Sequence, residues 1–508
     1  MEFHQDSPAI CTPFAALDTV AEQPAEVDLT LPDYCPDIEK ILKCSLTPKI
    51  QSKTLSGGML QVDGVCVVNV LYVESEKKAI RCCEHSVDFS RSFTVRDAGE
   101  GSIVLTKTKP EYINCRALSP RRLVMHGAFS LYAKVLAPRC TALYTPDRDG
   151  MEVLRQSRQL YNLRANCQEQ FTVSEEISVA DKPAVEAVLY TKADAAVTEA
   201  KAVSGKLLLS GDININLFYL TNLETGETAK LNYLLPFHQI LNCEGMEEGD
   251  EQLVQVELMS FDVRLKNDIL SDKPALAFDA MLCVSAQSYV AADMDIVTDA
   301  YCTAFACVPQ FADVEATGQV CSVNETSIEK MTARVDGCKL SKILDIYADS
   351  VTLDAGGSDG MTAKGKINLC ILALDENNYP VLVERACEYE RQLGSAGACS
   401  RMLFDNARVA SVSYRLTEDG GVDIRCELHL SGGALQSEQL RTVSDVDVRE
   451  DTPLPPMDCA LTLYYAGEGE SLWQIAKAHN TAMALLQEEN ALDTIVLDSP
   501  QMLLIPKL

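Results

Sequence analysis

Three stretches of the chain, Leu60–Tyr72, Leu207–Tyr219 and Met361–Ala373, repeat one alternation of apolar and polar side chains around a central glycine. Aligned on Gly64, Gly211 and Gly365, the even offsets read Leu60, Val62, Cys66, Val68, Val70; Leu207, Leu209, Ile213, Ile215, Leu217; and Met361, Ala363, Ile367, Leu369, Ile371. The odd offsets carry polar residues such as Asp63, Asn69, Asp212, Asn214, Lys364 and Asn368. Successive side chains on a strand point to opposite faces, so this is one half-buried β-strand written three times. The glycines stand 147 and 154 residues apart. A period that long means tandem domains and excludes a solenoid of short repeats.

Other landmarks keep the same register. Leu42 and Leu189 lie 22 residues before their glycines, in Pro36-x-Ile38-Glu39-x-Ile41-Leu42 and Pro183-x-Val185-Glu186-x-Val188-Leu189. The third copy keeps Leu340-x-x-Ile343-Leu344 without the proline and glutamate. Phe89, Phe237 and Tyr389 follow the glycines, and Arg116, Arg264 and Arg415 follow those aromatics at nearly constant spacing. Pro36 with Asp37 and Glu39 behind it suits a short helix start.

A chain of 508 residues has room for three or four domains. Burying the five apolar residues of one repeated strand is worth on the order of 10 kcal/mol gross. Chain ordering offsets most of that, so the strand needs a partner sheet or helix. Turn clusters at Asp354–Gly360 and Thr417–Gly421 separate short strands. The expected fold is mainly β: three antiparallel β-sandwich-like domains plus a small C-terminal α+β domain of βααβ order. The glycine inside each strand is expected to mark a bulge or a close backbone approach.

The formal charge of −30 argues against nucleic acid and against anionic membrane surfaces. Met1–Ile10 has neither a basic start nor an apolar core, so no secretory signal is read there, and no apolar run is long enough for a transmembrane helix. The 20 cysteines contain no C-x-x-C pair and are expected as free thiols in a reducing cytoplasm. The six histidines are scattered, which excludes the close ligand pairs of a zinc site. No phosphate loop, nucleophile elbow or H-E-x-x-H motif is present, and Gly356–Gly360 reads as a turn. The expectation is a protein that is not an enzyme and needs no cofactor or metal.

The C-terminus differs in kind. Residues 445–458 are acidic and proline-rich and read as an extended linker. Beyond them a strand at Leu463-Tyr464-Tyr465 runs into a loop, Gly467-Glu468-Gly469-Glu470-Ser471, with Ser471 as helix cap and Leu472, Ile475 and Ala476 on one helix face. A second helix opens at Thr481 and runs to Asn490, and Gln501–Pro506 closes as a strand. This stretch resembles a LysM domain in Gly469-Glu470-Ser471-Leu472-Trp473-x-Ile475-Ala476, Glu489-Asn490-x-Leu492 and Gln501-x-Leu503-x-Ile505-Pro506, with Pro500 where that family usually has glycine. The resemblance implies a ligand groove between two loops, with Gly467, Glu468, Gly469, Glu470 and Ser471 on one side and Leu492, Asp493, Thr494 and Ile495 on the other. The module holds Lys477 and Lys507 against six carboxylates. Leu472 and Trp473 are expected to pack in its core.

The tandem copies resemble SPOCS domains, with Leu31-Pro32-Asp33-Tyr34-Cys35-Pro36-Asp37-Ile38-Glu39-Lys40-Ile41-Leu42 the most characteristic segment. SPOCS copies followed by one LysM resemble the SipL-like family of spore-coat morphogenetic proteins. The resemblance implies an N-terminal arm at 1–30, SPOCS repeats at 31–150, 168–300 and 312–444, the linker at 445–458 and LysM at 459–508. It further implies a non-catalytic adaptor in the mother-cell cytoplasm, at the forespore outer surface. There LysM would dock on a coat-basement ATPase of the SpoIVA kind, beside other coat proteins. Self-association through exposed sheet edges is a further expected contact. The competing expectations are a wall or cortex protein that binds peptidoglycan through N-acetylglucosamine, which needs export, and a hydrolase hidden in one repeat.

Overall fold

Alternation in Leu60–Tyr72 becomes strand β3 (Met59–Glu74), flanked by β2 (Ile38–Ser56) and β4 (Ile80–Thr94) in an antiparallel meander. A second sheet is made by β1 (Ala9–Thr30), β5 (Ile103–Ser119) and β6 (Arg122–Ala142), in the order β1-β6-β5. The even-offset residues Val62, Val68 and Tyr72 meet Met125, Phe129 and Val135 of β6 in one buried core. Each face alone would leave its apolar row in water; stacked, the two sheets form a sandwich. The structure is a computed structural model that describes residues 8–506 except 268–273, 335–338, 358–359 and 455–460. Ser358 and Asp359 of the expected turn, and 455–458 of the expected linker, lie outside the described residues.

The same plan recurs twice. The second unit has β7 (Met151–Ser178), a meander β8 (Ala187–Val203), β9 (Lys206–Asn222) and β10 (Glu227–Asn242), then β11 (Glu251–Asn267) and β12 (Pro274–Cys302). The third has β13 (Phe305–Ala333), β14 (Leu340–Gly356), β15 (Thr362–Asp375), β16 (Pro380–Gln392), β17 (Arg401–Leu416) and β18 (Val422–Pro453). Each encloses its own sandwich core, with Ile213 and Tyr219 against Phe278 and Leu282, and Ile367 and Ile371 against Ile424 and Leu428.

The repeated glycine marks a close approach. Gly64 faces Phe89 across its ladder, Gly211 faces Phe237, and Gly365 faces Tyr389. The aromatic ring lies over the glycine, and a carbonyl of the other neighbouring strand (Lys49, Ala196, Thr352) crowds the same space, so that a Cβ would overlap both. Glycine and aromatic are therefore one cross-strand device, which is why both recur in register.

The three units form one body. Register shifts fall between Ile41 and Lys43, Val188 and Tyr190, and Ile343 and Asp345. The residue skipped each time is the landmark leucine, Leu42, Leu189 or Leu344. A bulge re-aims its side chain out of the ladder. All three leucines meet in one apolar cluster with Leu71, Phe218 and Leu372, each seven residues after its glycine. A second shared cluster joins Ile103, Leu253 and Leu403 with Leu136, Tyr289 and Leu435. Equivalent residues from three units meeting one another define a pseudo-threefold arrangement. Ion pairs cross the same boundaries: Lys53 Nζ lies 2.7 Å from Glu257 Oε2, and Asp349 lies 2.9 Å from Lys43 and 3.0 Å from Lys192.

Several sequence expectations change. Pro36–Glu39 opens no helix; Pro36 follows the turn closed by Cys35 N on Pro32 O, and Ile38 begins β2, because the β-branched Ile38 and Ile41 are claimed by the ladder with β3. Residues 9–30 are strand β1, paired along their length with β6, and not a separate arm. Residues 151–167, between the expected repeats, are the first half of β7. Residues 445–453 of the expected linker continue β18, with Val446 and Val448 opposite Pro309 and Cys307. Cys11 and Cys140, expected as free thiols, form a disulfide, since the β1–β6 register places them directly opposite one another.

Candidate functional site

The C-terminal module comprises β19 (Leu461–Ala466), α1 (Leu472–His479), α2 (Met483–Asn490) and β20 (Gln501–Pro506), with β19 and β20 antiparallel. Leu472, Ile475 and Ala476 of α1 are buried with Leu486, Leu497, Leu503 and Ile505. Ser471 occupies the N-cap position, yet its hydroxyl makes no cap bond; its carbonyl accepts from Ile475 N at 3.1 Å. Thr481 does not begin α2. It is buried, and its hydroxyl donates to Pro506 O at 2.8 Å, tying the helix junction to β20.

The sequence-predicted loop residues are brought together. Gly469 N donates to Leu497 O at 2.8 Å, Leu472 N to Ile495 O at 2.8 Å, and Leu497 N to Glu470 O at 3.0 Å. Ser471 pairs with Val496 as an isolated bridge. Gly469 has φ +82°, a left-handed conformation that glycine adopts freely. Glu470 accepts from the Tyr464 hydroxyl at 3.1 Å, and Gln487 donates to Thr494 O at 3.3 Å. Gly467 is half-buried; Glu468, Asp493, Thr494 and Ile495 are exposed, and Leu492 packs at the edge of the module's core. The two loops thus use part of their main-chain hydrogen-bonding capacity on each other.

No sequence motif signals the module's seat on the second unit. Trp473, the only tryptophan, donates from Nε1 to Asp299 Oδ2 at 2.8 Å, and Lys477 Nζ reaches Asp299 Oδ1 and Oδ2 at 2.7 and 2.8 Å. Tyr301 stacks edge-on against Trp473 with ring centroids 4.9 Å apart, and its hydroxyl donates to Thr481 O at 2.7 Å. Trp473 is therefore core and seat at once. Burial would raise the Asp299 carboxyl, but the Lys477 ammonium and the indole N–H outweigh it and hold it below its ordinary range. A carboxyl depressed on folding adds stability above its unfolded value, near 3.9, and loses that contribution as pH falls through the folded one. Trp473 emission is expected to stay constant from neutral pH to about pH 4 and to shift below it. In Asp299→Asn that acid transition should vanish; a wild-type emission flat to strongly acid pH would contradict the role given to Asp299.

A cavity of about 930 Å³ lies where the three units meet and is lined by Ile50, Thr106, Ala195, Gln255, Ser350 and Phe404 among others. Most of its charged residues are engaged in pairs, including Lys107 with Asp405, Lys134 with Asp18, and Asp194 with Arg408. Lys107–Asp405 and Asp194–Arg408 cross unit boundaries, whereas Lys134–Asp18 lies within the first unit. Among the described residues no group of three or more His, Cys, Asp or Glu is placed to hold a metal, and no helix is long and apolar enough to cross a membrane.

Fold and site define a class: a threefold β-sandwich body bearing one small βααβ ligand-binding-type module. Residues 37–118 and 184–266 match the family described as SipL, SPOCS domain, and residues 464–506 match the LysM domain. These matches agree with the resemblance read from the sequence, that of SPOCS domains joined to a C-terminal LysM domain as in SipL-like proteins. The third unit shares the strand order of the first two. No curated protein and no solved structure matches the chain. SPOCS and LysM are non-catalytic, binding-type domains, and their combination marks a sporulation-related protein with a module of the peptidoglycan-binding type.

Proposed function

We propose that this protein is a non-catalytic adaptor of spore-coat assembly. Its LysM module docks on a coat-basement morphogenetic ATPase of the SpoIVA kind, at the forespore surface in the mother-cell cytoplasm. The observation that carries this reading is the bonding of the two LysM loops to each other, through Gly469 N, Leu472 N and Leu497 N. A sugar groove works by offering such donors to N-acetyl and hydroxyl groups. The acidic surface supports the same reading, because Lys477 is engaged by Asp299 while Glu468, Glu488, Glu489, Asp493 and Asp498 stay exposed. The seat on Asp299 and Tyr301 makes the threefold body the support that presents the module. Glu468 and Glu470, with the loop backbone, are the contacts first to be tested.

The test sets the full chain against purified peptidoglycan in a sedimentation assay and against the purified ATPase in a capture assay. Capture by the ATPase without sedimentation is the expected result. Sedimentation with the wall polymer and no capture would replace this reading with wall or cortex binding, which the family match of the module to LysM favours.

A further inference from the structure

The module's two-stranded sheet has two outer edges, and they are treated differently. Along β20 the edge is closed: the Asn490 side chain donates to Leu504 O and accepts from Leu504 N, each at 2.6 Å. In an antiparallel ladder, opposite residues either exchange both main-chain bonds or turn both outward. Leu504 turns outward to Asn490, so its partner Leu463 turns its N–H and C=O outward along the far edge of β19. Leu461 and Tyr465, two residues to either side, share that phase. Opposite Leu461 stands Pro506, which has no N–H to offer. Among the described residues nothing bonds to the main chain of Leu463 or Tyr465 on that side.

An open strand edge is a template for a further strand, and proteins blunt such edges with charges, prolines or bulges. β19, Leu-Thr-Leu-Tyr-Tyr-Ala, carries none of these. Its outward-facing row is apolar as well: Leu463 and Tyr465 are each 67% exposed, with Met502 opposite Tyr465 at 58%. An apolar row beside an open ladder suits a strand whose same-face residues are apolar. The charge of the module decides between occupants. Six carboxylates surround a single described lysine, Lys477, which is bound to Asp299. A second copy of this chain, with formal charge −30, would meet like charge there.

We propose that the outer edge of β19 receives an extended segment of a partner protein as a third strand, apolar on one face and carrying lysine or arginine on the other. This rests on reading LysM as a protein-docking module and names the chemistry of what it docks. Main-chain bonds to Leu463 and its neighbours give affinity, the row of Leu461, Leu463 and Tyr465 sets register, and the acidic module selects for positive charge.

The test uses the full chain and two probes: the coat-basement ATPase, and a labelled eight-residue peptide alternating valine and lysine, with a valine–glutamate peptide as charge control. Leu463→Pro removes an N–H that the β19–β20 ladder does not use, and Tyr465→Lys adds charge to the row. Both variants are expected to weaken both probes by about tenfold while the Trp473 emission stays that of wild type, so the module remains seated. The glutamate peptide is expected not to bind, and raised salt should weaken the lysine peptide. Undiminished capture of the ATPase by both variants overturns the edge proposal and leaves ATPase docking standing. A bound lysine peptide with no ATPase capture in wild type overturns ATPase docking and leaves the edge. Binding of neither probe overturns both.

Discussion

Gly211→Val is expected to lower the stability of the whole body by about 3 kcal/mol or more, read as a fall in the denaturation midpoint. The backbone at Gly211 is ordinary strand; what the site lacks is room. One side of any added Cβ is the Phe237 ring and the other is the Ala196 carbonyl, so neither neighbour can yield alone. Moving Phe237 opens the core it fills beside Phe171, where the ring centroids are 5.9 Å apart. Moving Ala196 tears the β8–β9 ladder at the bulge between Val197 and Glu199. Gly211→Ala combined with Phe237→Leu should recover part of the loss, because the smaller side chain leaves space for the methyl. A Gly211→Val chain as stable as wild type would show that the glycine–aromatic pair is a relic of duplication with no packing role.

Lys53→Met carries the second large expected effect, a loss of about 3–5 kcal/mol. The Lys53 side chain is 1% exposed; its ammonium bonds Glu257 Oε2 at 2.7 Å and Val104 O at 2.9 Å, bridging the first and second units. Burial alone would pull the Lys53 pKa down, and the Glu257 carboxylate more than reverses this, leaving it raised. A lysine raised on folding contributes fully below its unfolded value, near 10.4, and loses that contribution as pH climbs through the folded value. Wild type should therefore lose stability at strongly alkaline pH along a limb that Lys53→Met lacks. The single variant strands Glu257 without its counter-ion at a buried boundary. Lys53→Met with Glu257→Leu removes both charges and should restore much of the stability. If the double variant is no better than the single one, the loss belongs to packing and not to the unpaired carboxylate.

What could be read from the chain follows how local each signal is. The glycine-centred strands were legible because alternation over a dozen residues needs only the two faces of one strand. β1 escaped because its alternating half buries Ala21, Gln23 and Ala25 before Val27, residues mostly too small or too polar to register as an apolar row. The last part of β18 escaped because the alternating valines Val446 and Val448 sit among acids and before prolines. The leucine landmarks were visible as a spacing, but their meaning depends on a bulge, and a bulge is a property of two strands in register. Cys11 and Cys140 became partners for the same reason. At the C-terminus the loop motif was legible residue by residue, whereas the seat was not: Asp299 stands 174 residues before Trp473, in another unit.

Three copies around one axis would, in an assembly of separate chains, bring three C-terminal modules with them. Here the three bulged leucines converge within a single polypeptide. The three sandwiches therefore share one LysM match, at residues 464–506, where a trimer of single-sandwich chains would display three.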